Sequence, residues 1–220
     1  MTGLLPLPGE LAGIILLSLF VSGVAILVSM LVGVPVGIFL GLHRFPGRAF
    51  LVTLVNTGMG LPPVVVGLGV FLLLARSGPL GGLDLLYTPW AMVLAQVVIA
   101  TPLVVGITLA AIQGLDARLH LQILSLGAST RQLYVKLVKE ARLSLVAALA
   151  AGFGSIISEV GAVMMVGGNI KGQTRVMTTA IVLETRQGEF GNALVLGAVL
   201  LALALGVNAL FTWVQQRSRA

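Results

Sequence analysis

The chain has 220 residues, of which 58% are apolar and only 9% are charged, with a mean hydropathy of +1.10. Soluble domains carry roughly 25% charged residues, so a water-soluble globular fold is excluded and the bilayer is the solvent. The formal charge of +6 is no sign of nucleic-acid binding, because its distribution along the chain matters more than its total, and the absence of cysteine excludes disulfides, thiolate metal sites and cysteine nucleophiles.

Charged residues punctuate the spans. Uncharged runs cover residues 11–42, 49–75, 85–115 and 190–216, and the segment 143–170 holds one acid, Glu159, and no base. A helix crosses a bilayer with roughly 20 apolar residues, so each run spans once and none holds two spans and a turn. A β-barrel needs alternating segments, which these runs are not. The reading is an all-α membrane protein with five transmembrane helices over about 12–42, 50–75, 89–114, 143–168 and 191–214, forming one domain over residues 1–220.

Sidedness follows from the basic residues. With the N-terminus outside, Arg44, Arg48, Arg118, Arg131, Lys136, Lys139, Arg142, Arg217 and Arg219 lie inside, against Arg76, Lys171, Arg175 and Arg186 outside. Cytoplasmic loops carry the Lys/Arg excess, so this orientation is the expected one, with the C-terminus inside. The first ten residues contain no base, so the first run reads as a retained span and not as a signal peptide.

Span 1 is over-long and contains Pro35, which predicts tilt or a kink near its inner end. Its Gly33, Gly37 and Gly41 recur every four residues, a spacing that lets helices approach closely, within the subunit or at a dimer face. Span 2 carries Asn56, Thr57 and the doublet Pro62-Pro63, which removes two backbone donors mid-span. Such a break persists only where protein or a water-filled cavity satisfies the freed carbonyls. It reads as a broken helix facing a pathway or as a buried kink.

The Gly/Pro-rich loop 76–88 leads to span 3, which opens on Pro89-Trp90 and carries Thr101-Pro102 halfway. The polar stretch 116–142 follows and then span 4. In 167–192, apolar Val176, Ala180 and Leu183 recur at helical spacing in a segment too short to span, predicting an amphipathic helix on the outer surface. Span 5 ends in Trp213 and a basic tail, an interfacial anchor. No internal repeat is evident, which weighs against an inverted-repeat secondary transporter.

Glu159 is the only acid inside an expected span, and burying a charge at mid-membrane costs roughly 2.5–3.5 kcal/mol. It is either a proton or cation site, or a structural acid hydrogen-bonded to Ser155 or Ser158. The run 167–174, GGNIKGQT, nearly fits a phosphate-binding loop, but Gln173 stands where the lysine must be, so it is no ATP site. His43 and His120 stand alone, without a second metal ligand at useful spacing. No metal and no cofactor is expected.

The cytoplasmic loop, 116–139, is the strongest signal. Residues 117–126 suit a short helix that Gly127 can end, and 131–138 suit a second helix leading into span 4. Its apolar side chains need a partner groove or the membrane surface. The run from Gln122 through Ser129, QILSLGAS, followed by QLYVKL at 132–137, resembles the EAA loop of binding-protein-dependent ABC importer permeases of type I architecture. The segments NTGMGLPPVVVGL and ISEVGAVMMVGGNI are similar to the oxyanion branch, most of all tungstate permeases and next molybdate permeases.

The resemblance covers nearly the whole chain. It implies a type I importer bundle at the prokaryotic cytoplasmic (inner) membrane, working as a homodimer with two cytoplasmic ATPase subunits and an external solute-binding protein. It implies no catalysis on this chain, and hydrolysis of ATP on the partner. Leu121, Gln122, Leu126, Gly127, Ala128 and Ser129 would then couple to the ATPase. Leu121 stands where the family has the glutamate of EAA, and Lys139-Glu140 stand where many members have Leu-Pro. Polar faces near Asn56, Thr57, Thr101, Ser155, Ser158 and Asn169, with Pro62, Pro63 and Glu159, would form the pathway or gate for a small oxyanion. The alternatives are an autonomous secondary transporter or channel using Glu159, and a membrane anchor with no pathway.

Overall fold

The structure is a computed structural model and describes residues 8–116, 119, 122, 123 and 125–217. Apart from one 3₁₀ turn at Gly81–Leu83, its elements are α-helices: α1 (Pro8–Leu42), α2 (Arg48–Met59), α3 (Pro63–Leu74), α4 (Pro89–Gln113), α5 (Thr130–Glu140), α6 (Arg142–Ile157), α7 (Gly161–Gly167), α8 (Met177–Arg186) and α9 (Phe190–Arg217). Among the described residues there is no strand. α1, α4 and α9 are each long and apolar enough to cross a membrane alone. The pairs α2–α3 and α5–α6 are bent by 104° and 66°, and counting each as one span gives up to five.

The expected second span is thus two helices at nearly a right angle. Pro62 takes an extended conformation (φ −61°, ψ 123°) and Pro63 opens α3, the first-turn position where a missing N–H costs nothing. Pro35, by contrast, does not end α1, which runs on to Leu42. The fourth expected span, 143–168, is not continuous either: α6 stops at Ile157 and α7 starts at Gly161, although no proline lies between them. The segment expected to form an outer amphipathic helix is α8, whose Met177 and Ala180 are buried with Ile14 of α1 and Leu196 of α9.

α4 is the centre of the molecule and packs against α1, α2, α3, α6 and α7. Without a hydrophobic force between helices in lipid, close contact must come from small residues. The glycine stripe of α1 supplies it: Gly33 faces Val104, Gly37 faces Thr108 and Gly41 faces Ile112. A Cβ at Gly37 would sit 2.6 Å from Thr108 Cβ and 2.8 Å from the Val105 carbonyl oxygen. The stripe therefore packs inside the subunit. The same device joins Gly58 to Pro102, and Gly67 to Ala162. Around these contacts Val21, Ile26, Val104, Phe153, Ile156 and Val163 form the main core.

Both ends of α1 are tied down. At one end Glu10 pairs with Lys171 at 3.0 Å and lies 3.8 Å from Arg175. The Ser18 hydroxyl donates to the Ile14 carbonyl and accepts from the Met177 N–H, docking the start of α8. At the other end Ile38 and, from α4, Ile112 are buried against Leu133 and Leu137 of α5. Arg48 there donates to the Leu40 carbonyl at 2.8 Å. Lys171 and Arg175 thus lie at one end of α1 and Arg48 at the other.

Candidate functional site: a docking loop and two broken helices

The loop between α4 and α6 is built from local signals. Gln122, Ile123 and Ser125 are helical, the Leu126 N–H donates to the Gln122 carbonyl, and the Ala128 N–H reaches back to the Ile123 carbonyl at 3.4 Å. Gly127 between them has φ +78°, so the turn closes as a Schellman motif that needs a residue at ease in the left-handed region. Two residues later α5 opens with a capping box: Ser129 Oγ accepts from the Gln132 N–H, and Gln132 Oε1 accepts from the Ser129 N–H at 2.8 Å. One helix exit and one helix entry meet across Ala128, which makes a rigid elbow.

The elbow presents an apolar tip. Leu126 is 86% exposed, whereas Leu133 and Leu137 on α5 are buried against α1 and α4. An open recess of about 1010 Å³ lies beside it, lined by Leu119, Ile123, Leu126, Arg131, Val135 and Lys136 among others. The structure thus brings Gln122, Leu126, Gly127, Ala128 and Ser129 together at one tip; Leu121 lies outside the described residues. The capping role of Ser129 was readable from the spacing Ser129–Gln132 and was not anticipated.

The two breaks adjoin. α3 and α7, the helices that follow them, pack together: Gly67 meets Ala162, and a Cβ at Gly161 would lie 2.6 Å from Val64 and 3.5 Å from a Glu159 carboxylate oxygen. Glu159 is half-buried, and its Oε1 accepts from the Ala162 N–H at 3.0 Å, satisfying a donor that the start of α7 leaves without a helical partner. Thr178 of α8 donates to the Glu159 carbonyl at 2.9 Å. Ser158 is exposed, and its hydroxyl donates to the Gly154 carbonyl at 2.8 Å and lies 3.1 Å from that of Ser155.

Asn56 and Thr57 on α2 are exposed, as are Ser155 and Pro62, while Pro63 is half-buried. Polar groups therefore remain uncovered on the helices flanking both breaks. Two expected site residues do not join them. Thr101 is committed to the α1–α4 contact, where its hydroxyl donates to the Val97 carbonyl at 2.7 Å and to Ser29 Oγ at 3.3 Å. Asn169, at φ +52°, belongs to the turn after α7 and accepts from Arg175 Nε at 3.3 Å. In that turn Thr174 is fully buried and donates to the Gly167 carbonyl, so the near phosphate-loop run is a closed structural turn.

Gln96 was not singled out by the sequence, yet it is 4% exposed on α4 and its Nε2 donates to the Ile156 carbonyl at 2.9 Å, at the edge of the second break. Its Oε1 has no hydrogen-bond partner among the described residues. A lone glutamine in an apolar span was the signal; its partner, 60 residues away, was not readable.

Residues 33–220 match the family described as binding-protein-dependent transport system inner membrane component. The chain is 44% identical over 205 residues to a probable anion ABC transporter permease protein of Haloferax volcanii, with 91% of this chain and 88% of that protein covered. It is 39% identical to the tungstate uptake system permease protein TupB of Peptoclostridium acidaminophilum, covering 92% and 89% of the two chains. It is 30% identical to the molybdenum transport system permease protein ModB of Escherichia coli (strain K12), covering 93% of each. Its fold is that of an inward-facing MetNI methionine ABC transporter chain, with a TM-score of 0.72 at 19% identity over 100% of this chain and 98% of that one. This chain belongs to the binding-protein-dependent transport system inner membrane components, the multi-pass permeases of ABC importers.

Proposed function

We propose that this chain is the pathway-forming subunit of an ATP-driven importer of a small oxyanion, tungstate first and molybdate next. The observation that carries the reading is Leu126: a large apolar side chain held in water on a rigid elbow, whose position next to a recess suits a cleft on a soluble partner. The choice of anion rests on the relatives named for tungstate and molybdate uptake. Two copies related by a two-fold axis would enclose a path between the broken helices, because one chain of this size makes only part of a wall.

In this reading two cytoplasmic ATPase subunits hold the elbows, and their closure on ATP moves the two copies between inward- and outward-open forms. An external solute-binding protein delivers the anion to the outer mouth. Asn56, Thr57, Ser155 and Ser158 offer uncharged hydrogen-bond donors along the way, suited to passing an anion without trapping it. The Glu159 carboxylate, engaged as a helix cap, speaks against an autonomous carrier built on that residue.

The test is uptake in vesicles. Tungstate entry should require ATP, the ATPase and the binding protein together; entry driven by the purified chain alone would overturn the proposal. Sidedness is checked separately, since the chain has no native cysteine. Ser129→Cys should react with an impermeant thiol reagent from the cytoplasmic side only, and Gln173→Cys from the outside only. Reaction of both from one side would refute the orientation.

A further inference from the structure

The two helix breaks have different causes. Between α2 and α3 the break is covalent: Pro62 and Pro63 cannot supply the N–H groups a continuous helix requires, and Pro62 sits at an extended ψ of 123°. Between α6 and α7 there is no proline from Leu143 to Ile170. The two residues flanking Glu159 lie in the right-handed region. Ser158 has φ −89° and ψ 0°, and Val160 has φ −115° and ψ −52°.

The break is held by side-chain hydrogen bonds to groups that a continuous helix would use. In an unbroken α6–α7 helix, with each N–H bonded four residues back, the Ile156 carbonyl would receive the Val160 N–H; here it receives Gln96 Nε2 and the Glu159 N–H. The Ala162 N–H would reach the Ser158 carbonyl; here it is taken by Glu159 Oε1. The Glu159 carbonyl would receive the Val163 N–H; here it receives the Thr178 hydroxyl. Two of these side chains, Gln96 and Thr178, come from other helices and tie the break to them, so the state of the break depends on where α4 and α8 stand.

We infer that Ser158–Val160 is a switchable break in the pathway wall, and that Gln96 and Thr178 are the positioning residues that set its balance. When α8 or α4 shifts relative to α6, their hydrogen bonds are released and the turn anneals into helix; when they return, it unwinds. Annealing rotates Ser155, Ser158 and Glu159 with respect to α3, which opens or closes the passage beside Pro62. The fixed proline break supplies the stationary half and the hydrogen-bonded break the moving half. This rests on the proposed pathway, but the switching itself requires no particular anion.

The experiment uses the full transporter in lipid nanodiscs, with spin labels on cysteines at Ala151 and Met165, either side of the break, in the otherwise cysteine-free chain. A continuous helix places these positions about 21 Å apart along its axis. The wild-type complex should show different separations without nucleotide and with ATP trapped, one of them the helical value. Gln96→Leu and Thr178→Val should enrich the helical value in both states, and Thr178→Ser should restore the wild-type distribution. In uptake assays the two apolar variants should lower the maximal rate roughly fivefold for the loss of one net hydrogen bond, with KM for the loaded binding protein unchanged. A single separation in the wild type regardless of nucleotide overturns the inference without recourse to any variant. If the labels switch but tungstate is not transported, the proposed substrate falls and this inference stands.

Discussion

Replacing Leu126 with Asp should abolish ATP-driven uptake and leave the membrane bundle folded. The side chain is 86% exposed and touches none of the buried clusters, so the substitution removes no packing. On the surface of the proposed ATPase partner the same residue would become a buried apolar anchor. Losing such an anchor costs about 2 kcal/mol or more, which is roughly thirtyfold in docking, and an unpaired carboxylate in the cleft adds a desolvation penalty. The measurements are co-purification of the ATPase with the permease, and uptake against ATP hydrolysis in vesicles. Normal co-purification with normal uptake would remove the elbow from the mechanism. Gly127 offers a neighbouring check of lesser effect, because its left-handed conformation disfavours any β-branched residue there.

Gly37→Val should destabilise the permease as strongly as any single change in the membrane. The first added carbon would already overlap Thr108 Cβ and the Val105 carbonyl oxygen, and neither belongs to a side chain that can swing away, since Thr108 is fully buried and the carbonyl is helix backbone. Overpacking of this kind costs about 2–3 kcal/mol, which corresponds to roughly 10 °C in thermal midpoint for a chain of this length. Gly23→Val on the same helix is the control, because a Cβ there meets nothing within 4 Å. Thermal unfolding in detergent compares the two. Equal losses would show that α1 tolerates no valine at all, and that close approach to α4 is not the reason.

Much of the architecture was readable in the chain, and the limits have physical causes. Charge-free runs between basic turns announced long apolar helices, three of them unbroken and able to cross a bilayer, because a charge in hydrocarbon is costly wherever it occurs. Pro62-Pro63 announced the first break because proline lacks a donor. The second break had no such announcement: Ser158, Glu159 and Val160 are ordinary residues, and the hydrogen bonds that hold them come from Gln96 and Thr178, far away in sequence. The same distance hid what Thr101 and Asn169 do, since a hydroxyl or amide looks equally ready for a pathway or for a neighbouring helix. The glycine stripe of α1 fitted two partners until the complementary ridge of Val104, Thr108 and Ile112 on α4 came into view. Within the elbow the glycine at the helix exit was anticipated, whereas the Ser129–Gln132 box at the helix entry, equally local chemistry, was overlooked.

The interlock of α1 with α4 has a mechanical consequence. Helices whose backbones touch at three successive glycines cannot slide or bend independently, so the two behave as one stiff beam. That beam is seated on α5 beside the elbow at one extremity and clipped through Glu10 to Lys171 at the other, a reach of about 52 Å for a helix of this length. A displacement that the proposed ATPase applied at the α5 end would therefore be carried to the opposite end with little loss along the way.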